Sequence, residues 1–342
     1  MSKKFVFNRA KILGTIVIVL VFFGVAITIG VARQKTDSKG NGSPADEFDV
    51  IKRTRFLMDT FCTIKVPVSE QNIEKAIESA FDRMEEVDKK FNCVNPQSQL
   101  YAFNENGIPI TDTEIVELIK TALKICDESE GAFDITVEPL VKLWGFFSDN
   151  PHVPAKQEIA ETLKRVNYKF IRVNDNRVTK ERDDVHIDLG AIAKGYSINR
   201  CVEELKVQGI KSALIEAGGQ VYAFGTIKGG PWKVGVRNPR KSGIIAGLSL
   251  DNDTGISTSG DYERYVEENG QRYHHILDPK TGYSAIGVMS LSVIMQDPTL
   301  ADGYSTALFV MGAEKAMKFV ESRPDMDLII VTADGKIQST RK

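Results

Sequence analysis

From Ile12 to Ala32 the chain runs 21 residues without a charged side chain, and no other feature restricts its folding so strongly, because a helix needs about 20 such residues to cross a bilayer. Lys3, Lys4, Arg9 and Lys11 precede this run, whereas Arg33, Lys35 and Lys39 after it are mixed with Asp37, Asp46 and Glu47. The positive-charge bias therefore predicts a cytoplasmic amino terminus at 1–11, a transmembrane signal-anchor at 12–32 and everything beyond it outside the cell. Cleavage after Ala32 is the alternative, although the apolar core of a signal peptide usually spans only about 7–15 residues. No cysteine follows directly for a lipid anchor. Residues 33–47, rich in Lys, Asp, Ser and Gly, read as a solvated tether, and 48–342 as the folded domain. The expected location is a single-pass cell-membrane protein with an extracytoplasmic domain.

Within that domain, apolar spacing defines the elements. A strand-like run from Phe56 to Val66 leads into a helix from about Glu70 to Phe91, where Ile73, Ile77, Ala80, Met84, Val87 and Phe91 recur at helical spacing. A second helix, Glu114 to Glu128, follows the start signal Thr111-Asp112-Thr113. After Asp184 the texture changes to short β-like runs between glycines, at Val185–Leu189, Ser212–Glu216, Val221–Phe224, Trp232–Val236 and Leu248–Leu250. One helix, Ala193 to Val207, is embedded among them, which suggests a largely antiparallel sheet region. Asn269-Gly270 between Tyr262–Val266 and Gln271–Ile276 predicts a hairpin, with His274 and His275 at its far end. A helix from about Leu300 to Glu321 and a hairpin, Leu328–Val331 then Gly335–Gln338, close the chain.

Composition narrows the function. A net charge of −2 lacks the clustered Lys and Arg that phosphate neutralisation demands, so no nucleic-acid partner is expected. Cys62, Cys93, Cys126 and Cys201 are far apart and form no metal or redox motif; they read as free, partly buried thiols.

Three segments carry chemistry. The stretch Asp188-Leu189-Gly190-Ala191-Ile192-Ala193-Lys194-Gly195-Tyr196 is expected at a strand end opening a helix, where glycines admit close ligand approach and the helix start and Lys194 attract phosphate oxygens. Asp188 there could accept from a ring N–H or cap the helix. In Ala301-Asp302-Gly303-Tyr304-Ser305-Thr306-Ala307, Asp302 and Thr306 are four apart and share a helix face, so both can reach one hard cation. The alternative is an N-cap Asp with a Thr bonded back into its helix. Finally, Thr258 to Arg264 and His274 to Gly282 bring two histidines beside a turn. Adjacent strand residues face opposite ways, so only one of the pair can serve a cleft. Gly131-Ala132-Phe133-Asp134 and Trp144-Gly145-Phe146 offer aromatic surface for a planar heterocycle, or belong to the core.

Together these segments resemble the ApbE family of FAD:protein FMN transferases, from about Arg55 to Gln338. The resemblance rests on Met58-Asp59-Thr60-Phe61, GAFDITVEPLVKLWGF at 131–146, DLGAIAKGY at 188–196, EAGGQVYAFG at 216–225, TSGDYERY at 258–265, HILDPKTGY at 275–283 and ADGYSTALFVMG at 301–312. It implies an α+β fold of two closely joined subdomains, with mainly antiparallel sheets and flanking helices, and FAD between them. It also implies Mg2+ held by the backbone carbonyl of Ala191 and the side chains of Asp302 and Thr306, with Lys194 near the phosphates. Met58, Ala132, Phe133, Asp134, Asp188 and Ile276 match positions that contact flavin or adenosine, and His275 matches a histidine important for activity. Val94 departs from the family, which often has a tyrosine there.

The reaction so implied is phosphoryl transfer. A Thr or Ser hydroxyl of an acceptor protein attacks the FMN-side phosphorus of FAD, Mg2+ and Lys194 stabilise the developing charge, and AMP departs. His275, or a carboxylate near the metal, would take the hydroxyl proton. Acceptors in this family carry an Asp-Gly-x-Ser/Thr-Ser/Thr-Ala type motif, which Asp302 to Ala307 itself resembles, so self-modification at Thr306 is conceivable. Two other readings compete: a FAD pyrophosphatase using water, and a non-catalytic extracytoplasmic flavin carrier.

Overall fold

Side-chain alternation along extended segments organises the fold. The computed structural model describes residues 49–341 apart from 149, 251 and 252; the apolar run at 12–32 and the tether at 33–47 lie outside the described residues. Its strands are β1 (Val50–Leu57), β2 (Thr60–Pro67), β3 (Ile171–Asn174), β4 (Arg177–Lys180), β5 (Ala213–Ala217), β6 (Gln220–Phe224), β7 (Trp232–Arg237), β8 (Ile244–Leu250), β9 (Thr254–Gly260), β10 (Tyr265–Glu268), β11 (Gln271–His274), β12 (Val288–Met295), β13 (Asp327–Thr332) and β14 (Ile337–Ser339). The helices are α1 (Ile73–Phe91), α2 (Gln99–Asn106), α3 (Thr113–Glu128), α4 (Glu138–Leu143), α5 (Lys156–Leu163), α6 (Gly190–Val207), α7 (Pro298–Met311) and α8 (Ala313–Glu321). None of these helices is long and apolar enough to cross a membrane.

One sheet in the order β1-β2-β5-β6-β9-β12-β13-β14 is the frame, and its neighbouring strands all run antiparallel. Leu214, Ala223, Ile294 and Ile329 face one side, where they meet Trp232, Val236 and Leu250 of the β7–β8 hairpin. Their sequence neighbours face the other side, as a period of two requires. Ile215 and Phe224 pack there on α1 and the second half of α6, and Val293 and Ile330 on α3 and α7. The layers are therefore hairpin, sheet, helices. The sheet passes through both apolar clusters without a break, so the two implied subdomains are halves of one unit, Phe48–Lys342.

Several elements differ from the sequence reading. The run from Phe56 to Val66 is a hairpin that turns at Met58 and Asp59, both left-handed at φ 52° and 56°, and Leu57 pairs with Thr60. The long apolar run hid this turn because neither residue is glycine or asparagine. Val185–Leu189 joins no sheet. The Asn104 side chain substitutes for a partner strand, donating to the Ile187 carbonyl at 2.9 Å and accepting from its N–H at 2.8 Å. The closing helix is two, broken at Gly312 (φ 82°, ψ 164°). The first of them starts at Pro298 under an Asp297 cap, so Asp302 lies a full turn inside and is no N-cap. All four cysteines are free and buried, and burial pushes the Cys62 thiol up to about 12.

A polar joint locks α1, α3 and α6 together. Glu114 accepts from Arg83, from Lys90 at 2.6 Å and from the Tyr196 hydroxyl at 2.6 Å. Burial alone would raise its pKa, but the bonds from Lys90 and Tyr196 and the Arg83 and Lys90 charges win, and the net shift is downward. A carboxylate depressed in the folded state stabilises above its unfolded pKa and loses that contribution as pH falls through the folded value. Glu114→Gln should therefore cost about 2 kcal/mol in urea unfolding at pH 7, with the gap closing in acid as wild-type Glu114 protonates; an equal gap at both pH values would refute this.

Candidate active site

The site begins where α6 and α7 cross. A Cβ on Gly195 would lie 2.1 Å from the Pro298 carbonyl oxygen and 2.7 Å from Asp302 Cβ, so only glycine permits this approach. Across the gap, the Gly195 N–H donates to Asp302 Oδ2 at 2.9 Å. Gln220 Nε2 donates to Oδ1 at 2.8 Å, and the Ser257 hydroxyl reaches the same oxygen at 3.4 Å. Asp302 is 2% exposed. Burial raises its pKa, against the Lys194 charge and these hydrogen bonds, which lower it.

That arrangement suits a hard cation. In a regular helix the Gly195 N–H belongs to the Ala191 carbonyl four residues back; the carboxylate takes a share of it, leaving acceptor capacity on that carbonyl. Thr306, one turn beyond Asp302, is half-buried with its hydroxyl 3.3 Å from Ser259 Oγ. Among the described residues no cluster of three or more His, Cys, Asp or Glu side chains is arranged to hold a metal. A cation here would draw on one carboxylate, one hydroxyl and one carbonyl. Such sparse oxygen ligation, completed by water and phosphate, is characteristic of Mg2+.

Asp302, Thr306, Ala191 and Lys194 line one cavity of about 590 Å³, and the remaining seven candidates, Met58, Ala132, Phe133, Asp134, Asp188, His275 and Ile276, line it too. Met58 is fixed at the tip of its hairpin by its N–H, which donates to Asp88 Oδ2 at 3.0 Å. Lys194 Nζ donates to the Gly190 carbonyl at 3.0 Å, which bends its ammonium toward the start of α6. Asp188 accepts from the Gly190 N–H at 2.8 Å, as an Asp tied to its helix start would, and burial raises its pKa. Asp134 spends its carboxylate on the Thr136 N–H and hydroxyl and the Tyr168 N–H. These bonds tie the segment that follows Ala132 and Phe133 to Tyr168.

The two histidines separate as strand geometry dictates. His274 is buried, donating from Nε2 to the Ala285 carbonyl at 2.9 Å and accepting from the Ile276 N–H at 3.3 Å. His275 lines the cavity, its Nδ1–H donating to the Arg264 carbonyl at 3.3 Å. This tautomer leaves the Nε2 lone pair available. Burial, then the His274 and Lys194 charges, push its pKa down to about 3. Trp144 is wholly core, bonded from Nε1 to the Gly282 carbonyl at 2.9 Å, whereas Phe146 stacks on it and presents an edge to His275.

Sequence reasoning missed Gln220, Ser257 and Ser259, the polar wall behind Asp302. Gln220 and Ser257 are register partners on β6 and β9, and Ser259 shares the Ser257 face. The polar run Ser257-Thr258-Ser259 within β9 was the available signal.

A family model described as the ApbE family matches residues 58–330. A Haemophilus influenzae protein named FAD:protein FMN transferase is 33% identical over 277 residues, covering 77% of this chain and 80% of its own. A Treponema pallidum protein of the same name is 29% identical over 313 residues, 84% of this chain and 86% of its own. The crystal structure of the ApbE protein from Thermotoga maritima superposes with a TM-score of 0.80 at 37% identity, over 85% of this chain and 97% of that one. The flavin transferase ApbE from Vibrio cholerae gives 0.76 at 28%, over 85% and 98%. The chain belongs to the ApbE family.

In this ApbE-family chain Val94 stands exposed on the cavity wall. The helix crossing makes a sharper demand. Gly195→Ala should force α6 and α7 apart and lose about 3 kcal/mol by overpacking, together with the Gly195–Asp302 hydrogen bond. Calorimetric melting checks this, and an unchanged melting temperature would mean that the helices do not meet as described.

Proposed function

We propose that the protein is a magnesium-dependent FAD:protein FMN transferase, which cleaves the pyrophosphate of FAD, joins FMN through a phosphoester to a Thr or Ser of an acceptor protein and releases AMP. One observation carries the reading: the buried Asp302 and the half-buried Thr306 and Lys194 line the same cavity as Met58, Phe133, Asp188 and Ile276. A dinucleotide asks for this pairing of charged centre and apolar ends, and the volume falls in the range of about 300–1,000 Å³ usual for ligand sites. The names of the relatives point the same way.

The residues divide the work. Met58, Ala132, Phe133 and Ile276 give apolar surface for the ring systems, and Asp188 an acceptor for a ring N–H. Asp302, Thr306 and the Ala191 carbonyl would hold Mg2+, which when bound supplies Lewis-acid stabilisation to phosphoryl oxygens. Lys194 offsets negative charge on the pyrophosphate. As the acceptor oxygen bonds to the FMN phosphorus, the phosphoanhydride bond breaks and AMP leaves with its phosphate. The hydroxyl proton passes to His275 Nε2, or to a carboxylate near the metal. The acceptor carries an Asp-Gly-x-Ser/Thr-Ser/Thr-Ala type motif, and residues 12–32 anchor the enzyme with this domain outside the membrane.

Incubating the enzyme with FAD, Mg2+ and an acceptor should add FMN to the acceptor's intact mass, while the enzyme alone gains none. EDTA should abolish the transfer, and Asp302→Ala should slow it roughly 10²–10³-fold. AMP release as fast without acceptor as with it would mean hydrolysis and overturn the proposal. Because His275 is already neutral above about 3, kcat/KM should show no histidine inflection between about pH 6 and 8. An inflection near 6.5 that disappears in His275→Ala would contradict this.

A further inference from the structure

Gln220 is 5% exposed and opens β6, in the middle of the sheet. Its Nε2 donates to Asp302 Oδ1 at 2.8 Å. The orientation is dictated by its partner, since an ionised carboxylate only accepts and would repel the amide oxygen. The carbonyl Oε1 is therefore turned away from Asp302. It is buried, without a hydrogen-bond partner among the described residues, and Gln220 lines the cavity. A buried unsatisfied acceptor calls for an explanation. None of the donors around Asp302 reaches it: the Gly195 N–H and Ser257 hydroxyl bond to Asp302, and Lys194 Nζ to the Gly190 carbonyl.

Resting on the reading that Asp302 holds a divalent cation, we propose that Gln220 is a positioning residue of that site, its Oε1 accepting a hydrogen bond from a water carried by the cation. Mg2+ dehydrates reluctantly and keeps several waters, and each bound water is a polarised donor in need of an acceptor. Gln220 supplies one while its other end orients the carboxylate, and the sheet fixes both.

Manganese(II) binding to the full chain without FAD, followed by electron paramagnetic resonance, tests this independently of turnover. Gln220→Met removes donor and acceptor at similar volume and should weaken Mn2+ binding about 10–100-fold, the usual cost of losing an outer partner. Gln220→Glu keeps an acceptor oxygen and should bind within about threefold of wild type or tighter. Equal losses in both variants would show that Gln220 acts only through its bond to Asp302, and a Gln220→Met affinity within twofold of wild type would show that an ordinary buried water satisfies Oε1; either result overturns the proposal. If Gln220→Met does not fold, a loss of tenfold or more in Gln220→Glu does so alone. Asp302→Ala separates the layers: Mn2+ binding that survives it defeats the underlying reading, whereas binding lost in Asp302→Ala but intact in Gln220→Met defeats only this inference.

Discussion

The Gly195 N–H and the Asp302 carboxylate meet at 2.9 Å where two helices cross with no side chain between them. Both partners need that closeness. An ionised carboxylate that is 2% exposed has lost most of its hydration and must recover the cost from hydrogen bonds and opposite charge. A backbone N–H can reach it only if the helix carrying it approaches without a Cβ. The crossing also couples two distant segments of sequence, so the Lys194 ammonium and the Thr306 hydroxyl open onto the same cavity although 112 positions separate them.

What keeps the crossing in register is the sheet behind it. Gln220 and Ser257, paired across β6 and β9, present polar atoms to Asp302, while the intervening Val221 and Ile256 pack with the β7–β8 hairpin. Sliding either strand by one residue would exchange these sets and bury apolar groups against the carboxylate. On the far side of α7, the Tyr304 hydroxyl bonds to Glu128 of α3 and accepts from Arg323 at 2.6 Å. The helix bearing the site is thus gripped along its length.

How much of this was legible in the sequence follows from the range of each interaction. The stripe Ile73, Ile77, Ala80, Met84 of α1 and the Asn269-Gly270 turn were readable because their determinants lie within a few residues. Asp302 and Thr306 were readable as a pair for the same reason. The Met58-Asp59 turn was not, because its left-handed residues lack the usual glycine and are held instead by Asp88, thirty positions away. The Val185–Leu189 segment misled because its partners are the Asn104 side chain, the Ile135 carbonyl and the Lys180 ammonium rather than a strand. Gln220 was invisible as a site residue because its meaning depends on Asp302, 82 positions on.

Charge around the cavity gives the most general constraint on what it can accept. Asp59, Asp88, Asp134, Asp188, Glu263 and Asp302 line it against Lys194 and Arg264, and burial raises the pKa of Asp134, Asp188 and Asp302, so their negative charge is costly without a cation beside it. Taken alone, such a surface repels a pyrophosphate. Lys194 cannot reverse that balance, and Arg264 is partly engaged with Asp59 at 3.5 Å. The proposed divalent cation on Asp302 would change the sign locally, since it would offset the carboxylate and leave positive charge for phosphate oxygens. Cation and dinucleotide should then favour each other's binding, and the coupling must be reciprocal. On the proposed reading, the acidity that looks unsuited to an anionic substrate would become the means by which the cavity takes that substrate only together with a metal.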